Sequence, residues 1–330
     1  MTIVNFWRNR PVLVTGCTGV LGSWLTLELL AQGAMVVGVV RDQVPQSNLY
    51  SSGAAKGLIA VRGGIEDYQF LERVLNEYEI DTVFHLAAQT IVTIANRSPL
   101  STFEANIKGT WNLLEAARRT STLKRFVFAS SDKAYGSHKE LPYTEESPLV
   151  GLHPYDVSKT CSDLIAQTYF HTYKLPVGIT RCGNIFGGGD LNFNRIVPGT
   201  FRSLYYNEAP IIRSDGTPRR DYVFVKNIVD AYLLLAENLE RQEVVGQAFN
   251  FGPSKPLSVK EIVDAIIRAS GKKIAADVQG AGQLLGEIQD QYLDSDKARR
   301  LLNWSPRYEL EQGLAQTWKW YSEFFDRQSK

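Results

Sequence analysis

The chain has 330 residues, which is too long for one small domain and fits one large domain or two interlocked ones. Apolar residues make up 44% of it and charged residues 22%, an ordinary composition for a globular protein with a sizeable core. The formal net charge is only +1, so the charge balance gives no reason to expect nucleic acid or an anionic membrane as a partner.

The sequence carries no pattern typical of a metal site, an exported protein or a membrane protein. The three cysteines, Cys17, Cys161 and Cys182, are scattered and lack the spacing of metal ligands, so we expect reduced thiols and no bound metal. The amino-terminal residues have no long apolar segment with a small-residue cleavage site, and no apolar run is long enough to span a bilayer. We therefore expect a cytoplasmic protein.

The first half of the sequence alternates short β-branched runs with amphipathic helical stretches. Such continuous apolar runs, separated by helices, are typical of parallel strands covered on both faces. With right-handed crossovers they predict an α/β fold built on a doubly wound parallel sheet of the Rossmann type. In chain order the predicted elements are strand Pro11–Thr15, helix Ser23–Gln32, strand Met35–Val40, strand Leu58–Arg62, helix Tyr68–Tyr78, strand Thr82–Leu86, helix Ser101–Arg119, strand Arg125–Ala129, helix Pro154–Tyr173 and strand Val177–Arg181.

From about Asn184 the predicted elements become shorter and less regular. Two helices stand out, Asn227–Glu237 and Ser258–Ser270, and the second opens with Ser258 and Glu261 at the spacing of a capping box. No flexible linker separates this part of the chain from the first. We predict a Rossmann dinucleotide-binding domain over 1–183 and a smaller, interlocked substrate-binding region over 184–330, whose segment near 220–240 returns to the Rossmann domain.

A glycine-rich turn follows the first strand directly. Gly16, Gly19 and Gly22 have a GxxGxxG spacing, and a helix follows at once. Gly16 allows a tight turn, Gly19 allows the backbone to approach a pyrophosphate, and Gly22 allows close helix packing, while the helix amino terminus supplies N–H donors. We predict that a dinucleotide binds here and contacts Val20 and Leu21 as well.

Two further strand ends complete the predicted cofactor site. Asp42, about 20 positions beyond the glycines, suits the ribose hydroxyls of NAD, whereas Arg41 beside it could accept the 2′-phosphate of NADP, so we favour NAD and leave NADP open. The small residues that follow the fourth strand let the backbone run close to the dinucleotide, and we assign them to the cofactor site. They are Leu86, Ala87 and Ala88.

A tyrosine and a lysine stand one helical turn apart at the start of a long predicted helix. Tyr155 and Lys159 therefore share one face of it. A cationic lysine beside a phenol lowers the pKa of the phenol, which makes the tyrosine a candidate base. The lysine can also hold the nicotinamide ribose, so both residues are assigned to catalysis and to cofactor binding.

The chain resembles the extended short-chain dehydrogenases/reductases, in particular the nucleotide-sugar epimerases and dehydratases. The likeness runs along nearly the full length, through the segments VLVTGCTGVLG, HLAAQ, NIKGTWNLLEA, SSDKAYG, YDVSK, RCGNIFGGGD and RRDYVFV. In that family a Ser or Thr of the fifth strand completes a triad with the Tyr and the Lys. The resemblance therefore implies that Ser131 bonds the C4 oxygen of the sugar.

The next two residues, Asp132 and Lys133, resemble the acid–base pair of the CDP-glucose 4,6-dehydratases and also that of the UDP-N-acetylglucosamine dehydratases that invert C5. The segments NFW before the first strand, TGCTGVLGSWL and GGGD resemble the CDP-glucose 4,6-dehydratase branch most. The resemblance implies that Tyr155 removes the proton of the C4 hydroxyl, that Lys133 takes the C5 proton, and that Asp132 protonates the departing C6 hydroxyl. NAD is regenerated within each cycle. The product would be a 4-keto-6-deoxy sugar.

The resemblance also implies a nucleotide-sugar substrate and a homodimer. The alternatives left open are a nucleotide-sugar 4-epimerase or C4 oxidoreductase of the same family, and a non-catalytic dinucleotide-binding protein, which would have no need of the intact triad. The residues assigned to substrate binding are Gln89, Asn184, Arg195 and Arg220.

Overall fold

The computed structural model describes residues 5–280 and 288–329 of the chain. The strands are β1 Pro11–Thr15, β2 Met35–Val40, β3 Ile59–Arg62, β4 Thr82–His85, β5 Arg125–Ala129, β6 Val177–Cys182, β7 Asn184–Phe186, β8 Ile211–Ile212, β9 Arg219–Arg220, β10 Tyr222–Phe224, β11 Ala248–Phe251, β12 Leu257–Ser258, β13 Asp277–Val278 and β14 Asp290–Gln291. The helices are α1 Val20–Ala31, α2 Asn48–Ser51, α3 Tyr68–Glu77, α4 Val92–Arg97, α5 Pro99–Phe103, α6 Gly109–Arg119, α7 Pro154–Tyr173, α8 Ile196–Tyr205, α9 Val225–Glu237, α10 Val259–Ser270, α11 Asp296–Leu302 and α12 Leu310–Gln328.

A seven-stranded parallel sheet has the order β3-β2-β1-β4-β5-β6-β11. From β1 the chain proceeds outward through β2 to β3, then returns to β4 on the other side of β1. This reversal places a topological switch point between β1 and β4, where Thr15 lies opposite His85. The predicted doubly wound α/β fold is confirmed.

Alternate residues of the central strands face two separate cores, as the period of a strand requires. Val12 and Val14 of β1 pack in one core, which also takes in α1 and α9. Leu13 packs in the other core, which takes in α3 and α6. Helices therefore cover both faces of the sheet, which explains why its strands are apolar along their whole length.

Several element boundaries differ from the sequence prediction. Helix α1 begins at Val20 rather than Ser23, because Gly19 serves as its N-cap and the helix follows the glycine turn directly. The expected helix Ser101–Arg119 begins at Pro99 and contains a π turn, Glu104–Lys108, between α5 and α6. The remaining predicted strands and helices of the first half match within one residue at each end.

The later part of the chain forms short sheets and a third core. Parallel β7 and β10 form one sheet, and β9 lies between β12 and β14 in another. Helices α8, α10 and α12 pack around Phe201, Phe224 and Tyr321. Helix α10 begins with the predicted capping box, in which Glu261 N–H donates to Ser258 Oγ and Ser258 N–H donates to the Glu261 carboxylate.

The two parts of the chain are joined by more than one connection. Helix α9 packs against α1, and β11, which the sequence did not predict, extends the central sheet beside β6. Trp24 of α1 donates to the carbonyl of Gly188 at 2.8 Å, which ties the glycine loop after β7 to the Rossmann half. These contacts support the expected return of the 220–240 segment, and the boundary at 184 stays a prediction.

Candidate active site

The glycine turn has the shape that a bound pyrophosphate needs. Gly16 has a φ of +72°, and a Cβ there would lie 2.8 Å from the backbone nitrogen of Ala87. A Cβ on Gly22 would lie 2.0 Å from the Gly16 carbonyl oxygen. No side chain caps α1 at Gly19, so the first N–H groups of the helix are left for an anionic ligand. The turn therefore fits a dinucleotide.

A buried hydrogen-bonded chain fixes the backbone after β4, where Leu86, Ala87 and Ala88 follow. Thr15 Oγ1 accepts from the backbone N–H groups of Leu86 and Ala87, both at 3.1 Å. Its hydroxyl then donates to His85 Nδ1 at 2.8 Å. Burial lowers the pKa of His85 to about 3, so the ring is neutral and serves the fold rather than proton transfer.

Arg41 and Asp42 lie at the end of β2, apart from the catalytic residues. The Arg41 Nε donates to Asp42 Oδ2 at 2.7 Å, and both side chains are more than half exposed. Arg41 thus forms an ion pair with Asp42, the residue expected to bind the ribose hydroxyls of NAD. This arrangement suits a ribose with free hydroxyls better than one with a 2′-phosphate.

The strand β5 ends in the turn that carries the predicted catalytic residues. Ser130 is buried, and its hydroxyl has no hydrogen-bond partner within the described chain. Ser131 begins a 3-10 turn, Asp132–Tyr135, and its hydroxyl accepts from the Lys133 amide at 3.2 Å. The Ser131 hydroxyl also lies 3.2 Å from Asp132 Oδ1.

Tyr155 and Lys159 lie in the first turns of α7, which begins at Pro154 as predicted. Burial raises the pKa of Tyr155 to about 12, an effect that interaction with Ser131 opposes. Burial lowers the pKa of Lys159 to about 8, and its Nζ donates to the carbonyl of Ala129 at 2.8 Å. The pKa of the phenol is thus higher than the sequence predicted, because burial outweighs the hydrogen bond with Ser131.

The predicted acid–base pair, Asp132 and Lys133, is compact and largely enclosed. Asp132 is buried, and its Oδ2 lies 4.0 Å from Lys133 Nζ. Burial lowers the pKa of Lys133, and Arg220 and Arg195 lower it further, whereas Asp132 and Asp156 oppose the change. A lysine with a lowered pKa can be neutral when it meets substrate, as a base must be.

Two polar residues near this pair were not predicted. Asp156 follows Tyr155 directly and is buried, and burial raises the pKa of its carboxyl while Lys133 opposes the rise. Gln291 of β14 is fully buried and contacts both members of the pair. The sequence could have indicated Asp156 as a site residue, because it directly follows Tyr155. No motif near Gln291 could have indicated that residue.

The predicted substrate residues Asn184, Arg195 and Arg220 line one cavity of about 250 Å³. Arg195 donates to the buried Asp190 carboxylate at 2.7 Å and to the carbonyl of Ile185 at 3.1 Å. Both arginines lie close enough to lower the pKa of Lys133, so the cavity adjoins the catalytic turn. Two arginines at one cavity are suited to bind phosphate oxygens.

Gln89, the fourth predicted substrate residue, is held by the π turn. Its N–H donates to Asn106 Oδ1 at 2.7 Å, and Asn106 Nδ2 donates to the Gln89 carbonyl at 3.1 Å and to Ser158 Oγ at 2.8 Å. Asn106 thus joins the end of β4 to the helix of Tyr155. Sequence patterns did not predict a role for Asn106, although it lies in the NIKGTWNLLEA segment.

A buried ion pair between Arg181 and Asp163 lies next to the 3-10 turn Asp132–Tyr135. The guanidinium of Arg181 donates through Nε and Nη2 to the two carboxylate oxygens of Asp163, each at 2.9 Å. Its Nη1 donates to the hydroxyl of Tyr135, which in turn donates to Asn250 at 2.7 Å. These bonds connect α7, β6, β11 and the 3-10 turn, and so hold the position of the catalytic residues.

Comparison with known proteins places this site in a family. The profile of the GDP-mannose 4,6 dehydratase family matches residues 13–317. The chain is 32% identical to a CDP-glucose 4,6-dehydratase from Salmonella typhimurium over 96% of this chain and 92% of that protein. The chain belongs to the GDP-mannose 4,6 dehydratase family, within the short-chain dehydrogenases/reductases, and is an enzyme of the nucleotide-sugar dehydratase and epimerase group.

Solved structures of both enzyme types share the fold. An epimerase from Methanothermobacter thermautotrophicus superposes with a TM-score of 0.89 at 28% identity, covering 98% of this chain and 96% of that one. A dTDP-glucose 4,6-dehydratase from Streptomyces venezuelae, solved with NAD and TYD bound, superposes with a TM-score of 0.84 at 29% identity, covering 95% and 97%. The overall fold therefore does not distinguish dehydration from epimerisation.

Neither a candidate metal site nor a candidate membrane span occurs within residues 5–280 and 288–329. No group of three or more His, Cys, Asp or Glu side chains there could hold a metal ion. No helix in the same part of the chain is long and apolar enough to cross a membrane.

Proposed function

We propose that the protein is a nucleotide-sugar 4,6-dehydratase that acts on a CDP-glucose-like substrate. The observation that carries this proposal is the buried Asp132 carboxylate 4.0 Å from Lys133 Nζ, directly after Ser131 of the predicted triad. Exchange at C4 needs only the triad, whereas removal of the C6 hydroxyl needs an additional acid and base. Asp132 and Lys133 would supply one of each.

The cofactor is NAD. The residues that would hold it are those of the glycine turn, Gly16, Gly19, Val20, Leu21 and Gly22, together with Arg41, Asp42, Leu86, Ala87, Ala88, Tyr155 and Lys159. When bound, NAD supplies a two-electron acceptor for the oxidation of sugar C4 and returns those electrons at the end of the cycle.

Tyr155 takes the proton of the C4 hydroxyl, and Ser131 bonds the same sugar oxygen. Because the pKa of Tyr155 is raised to about 12 by burial, the phenol is protonated at neutral pH in the protein alone. The positively charged nicotinamide ring of bound NAD would lower the pKa of Tyr155. Lys159, one turn along the helix, would add to this effect. The tyrosine therefore becomes an effective base only when the site is occupied.

Lys133 and Asp132 then carry out the loss of water. A ketone at C4 acidifies the C5 proton, which the neutral Lys133 amine removes. Asp132, as the general acid, donates a proton to the C6 hydroxyl, the C6–O bond breaks, and water leaves. Lys133 gains one proton and Asp132 loses one, so the two side chains together balance the protons of this step.

The substrate pyrophosphate binds in the 250 Å³ cavity, held by Arg195, Arg220 and Asn184. Gln89, whose backbone Asn106 fixes, would contact the sugar. The similarity to a CDP-glucose 4,6-dehydratase supports cytidine as the base. The second candidate is a nucleotide-sugar 4-epimerase, since a UDP-glucose 4-epimerase is 29% identical to this chain over 94% of it.

We also propose that two copies pair through α5, α6 and α7. Leu100, Trp111 and Leu164 on these helices are 73%, 44% and 51% exposed, which is unusual for large apolar side chains on neighbouring helices. Light scattering at micromolar concentration should give a dimer, and Leu164→Glu should give a folded monomer. A monomeric wild type would contradict this proposal.

The experiment that tests the proposed function is incubation of the purified enzyme with CDP-, UDP-, GDP- and dTDP-glucose, followed by mass spectrometry. We expect CDP-glucose to lose one water and to form a keto sugar, with no net reduction of added NAD. Products of unchanged mass with inverted C4 would identify an epimerase instead.

A further inference from the structure

Gln291 lies at the catalytic turn although it is 158 positions from Lys133 in sequence. It is the second residue of β14 and has no solvent exposure. A fully buried amide is costly unless both of its ends are hydrogen-bonded. The partners of this amide therefore indicate what the residue is for.

Both ends of the Gln291 amide bond to the acid–base pair. Lys133 Nζ donates to its Oε1, and its Nε2 donates to the backbone carbonyl of Asp132 at 3.0 Å. Asp132 and Lys133 are consecutive in the 3-10 turn, so one side chain holds both the turn and the amine that it carries.

We infer that Gln291 is a positioning residue that aims the Lys133 amine at the substrate. The inference rests on the proposed function, since Lys133 is the base of the dehydration. The amide oxygen accepts one hydrogen of the amine and so limits its rotation, which leaves the lone pair of the neutral amine free for the C5 proton.

A neutral amide suits this task better than a carboxylate. The charged groups that face Lys133 are Asp132, Asp156, Arg195 and Arg220, two of each sign. An additional carboxylate would raise the pKa of Lys133 and so favour the protonated amine, which cannot act as a base. Glutamine orients the amine without adding charge.

The strand that carries Gln291 also supports the substrate cavity. Gln291 pairs with Arg220 in the parallel register of β14 and β9. Arg220 Nη1 donates to the carbonyl of Gln289 at 2.9 Å, and Nη2 donates to that of Ile288. One short segment, residues 288–291, thus holds both the predicted phosphate-binding arginine and the orientation of the base.

The test compares Gln291→Glu and Gln291→Leu with a matched pair elsewhere. Lys297 Nζ donates to Gln247 Oε1 at 2.9 Å, outside the site, so Gln247→Glu makes the same change beside another lysine. The pH dependence of Lys133 acetylation by trace acetic anhydride, followed by mass spectrometry, reports the pKa of the amine without any need for activity.

We expect Gln291→Glu to move the Lys133 labelling curve upward by about one to three pH units, as an adjacent carboxylate does. The acid limb of its rate profile should move in the same direction. Gln291→Leu should move the curve downward and lower kcat by about 10²-fold with little change in KM, because the amine is misplaced. Gln247→Glu should change only Lys297.

Superimposable Lys133 labelling curves in wild type and both Gln291 variants would overturn the inference, and so would a wild-type kcat in Gln291→Leu. Failure of the proposed function has a different signature. In that case wild type releases no water from any nucleotide glucose, while the Lys133 labelling curves still differ between the variants.

Discussion

The cofactor edge of the central sheet takes its site residues from unbroken sequence motifs, whereas the substrate side assembles them from distant short strands. Gly16 to Gly22 form one turn after β1, and Tyr155 and Lys159 share one helix. On the substrate side, Asn184, Arg220 and Gln291 come from β7, β9 and β14, which have two or three residues each. These strands have little stability of their own and depend on their neighbours.

This contrast indicates which part of the site can change when the reaction changes in this fold. The glycine turn and the helix of Tyr155 are fixed by local geometry and by the two large cores, so they serve any reaction at C4. The predicted acid–base pair contacts β14, which belongs to a separate short sheet and not to the central one. Each prediction below tests one side of this comparison.

The largest effect is expected on the sheet side, at Tyr155. Tyr155→Phe keeps the ring and its packing but removes the proton-transfer group, so turnover should fall by at least about 10²–10⁴-fold. Titration of NAD, followed by protein fluorescence, should show binding close to that of wild type. A variant with near-wild-type rate would show that Tyr155 is not the base.

The buried ion pair behind the catalytic turn should give the next largest effect. Arg181 and Asp163 are 3% and 0% exposed, so Asp163→Ala leaves a buried guanidinium without its carboxylate and should lower the free energy of unfolding by about 3–5 kcal/mol. The control is Glu77→Ala, which breaks the half-exposed pair with Arg73 and should cost less than about 1 kcal/mol. Equal losses in urea unfolding would contradict the account.

A smaller, pH-dependent effect is expected at Asp221, between β9 and β10. Burial raises the pKa of its carboxyl to about 7 from an ordinary value of 3.8. The folded state therefore holds a proton that the unfolded chain releases, so the contribution of this group to stability is complete below about pH 4 and is lost as the pH rises through about 7.

The matching variant is Asp221→Asn, which keeps an oxygen to accept from the Leu293 N–H. Its free energy of unfolding relative to wild type should rise by about 3 kcal/mol between about pH 5 and about pH 8, at about 1.4 kcal/mol for each unit of raised pKa. A difference that does not change with pH, measured by urea unfolding, would show that this carboxyl does not titrate on folding.

Sequence patterns predicted the sheet half closely, because its information is local. The bounds of β1, β2 and α7 match, since an apolar run, a glycine turn and Pro154 at a helix start each lie within a few residues. Strand β11 was missed because it has four residues with Asn250 among them and no continuous apolar run. The predicted family is confirmed, and the individual roles of the site residues remain predictions.

The rest of the site could not be predicted because it depends on tertiary contacts. No spacing links Gln291 to Lys133, and the π turn that presents Asn106 occurs within an ordinary helical pattern. The sequence also predicted a lowered pKa for Tyr155 from the neighbouring lysine. Burial, which the motif does not encode, raises that pKa instead.

A single experiment can test whether Asp132 and Lys133 carry out the dehydration of the sugar. Wild type, Asp132→Asn and Lys133→Met are incubated with CDP-glucose in deuterium oxide, and product mass and deuterium at C5 are determined. Wild type should lose water and place solvent deuterium at C5. Asp132→Asn should still oxidise C4 but lose water about 10²–10⁴-fold more slowly, and Lys133→Met should exchange C5 slowly. Full dehydration by both variants would contradict the account and leave the pair as a structural turn.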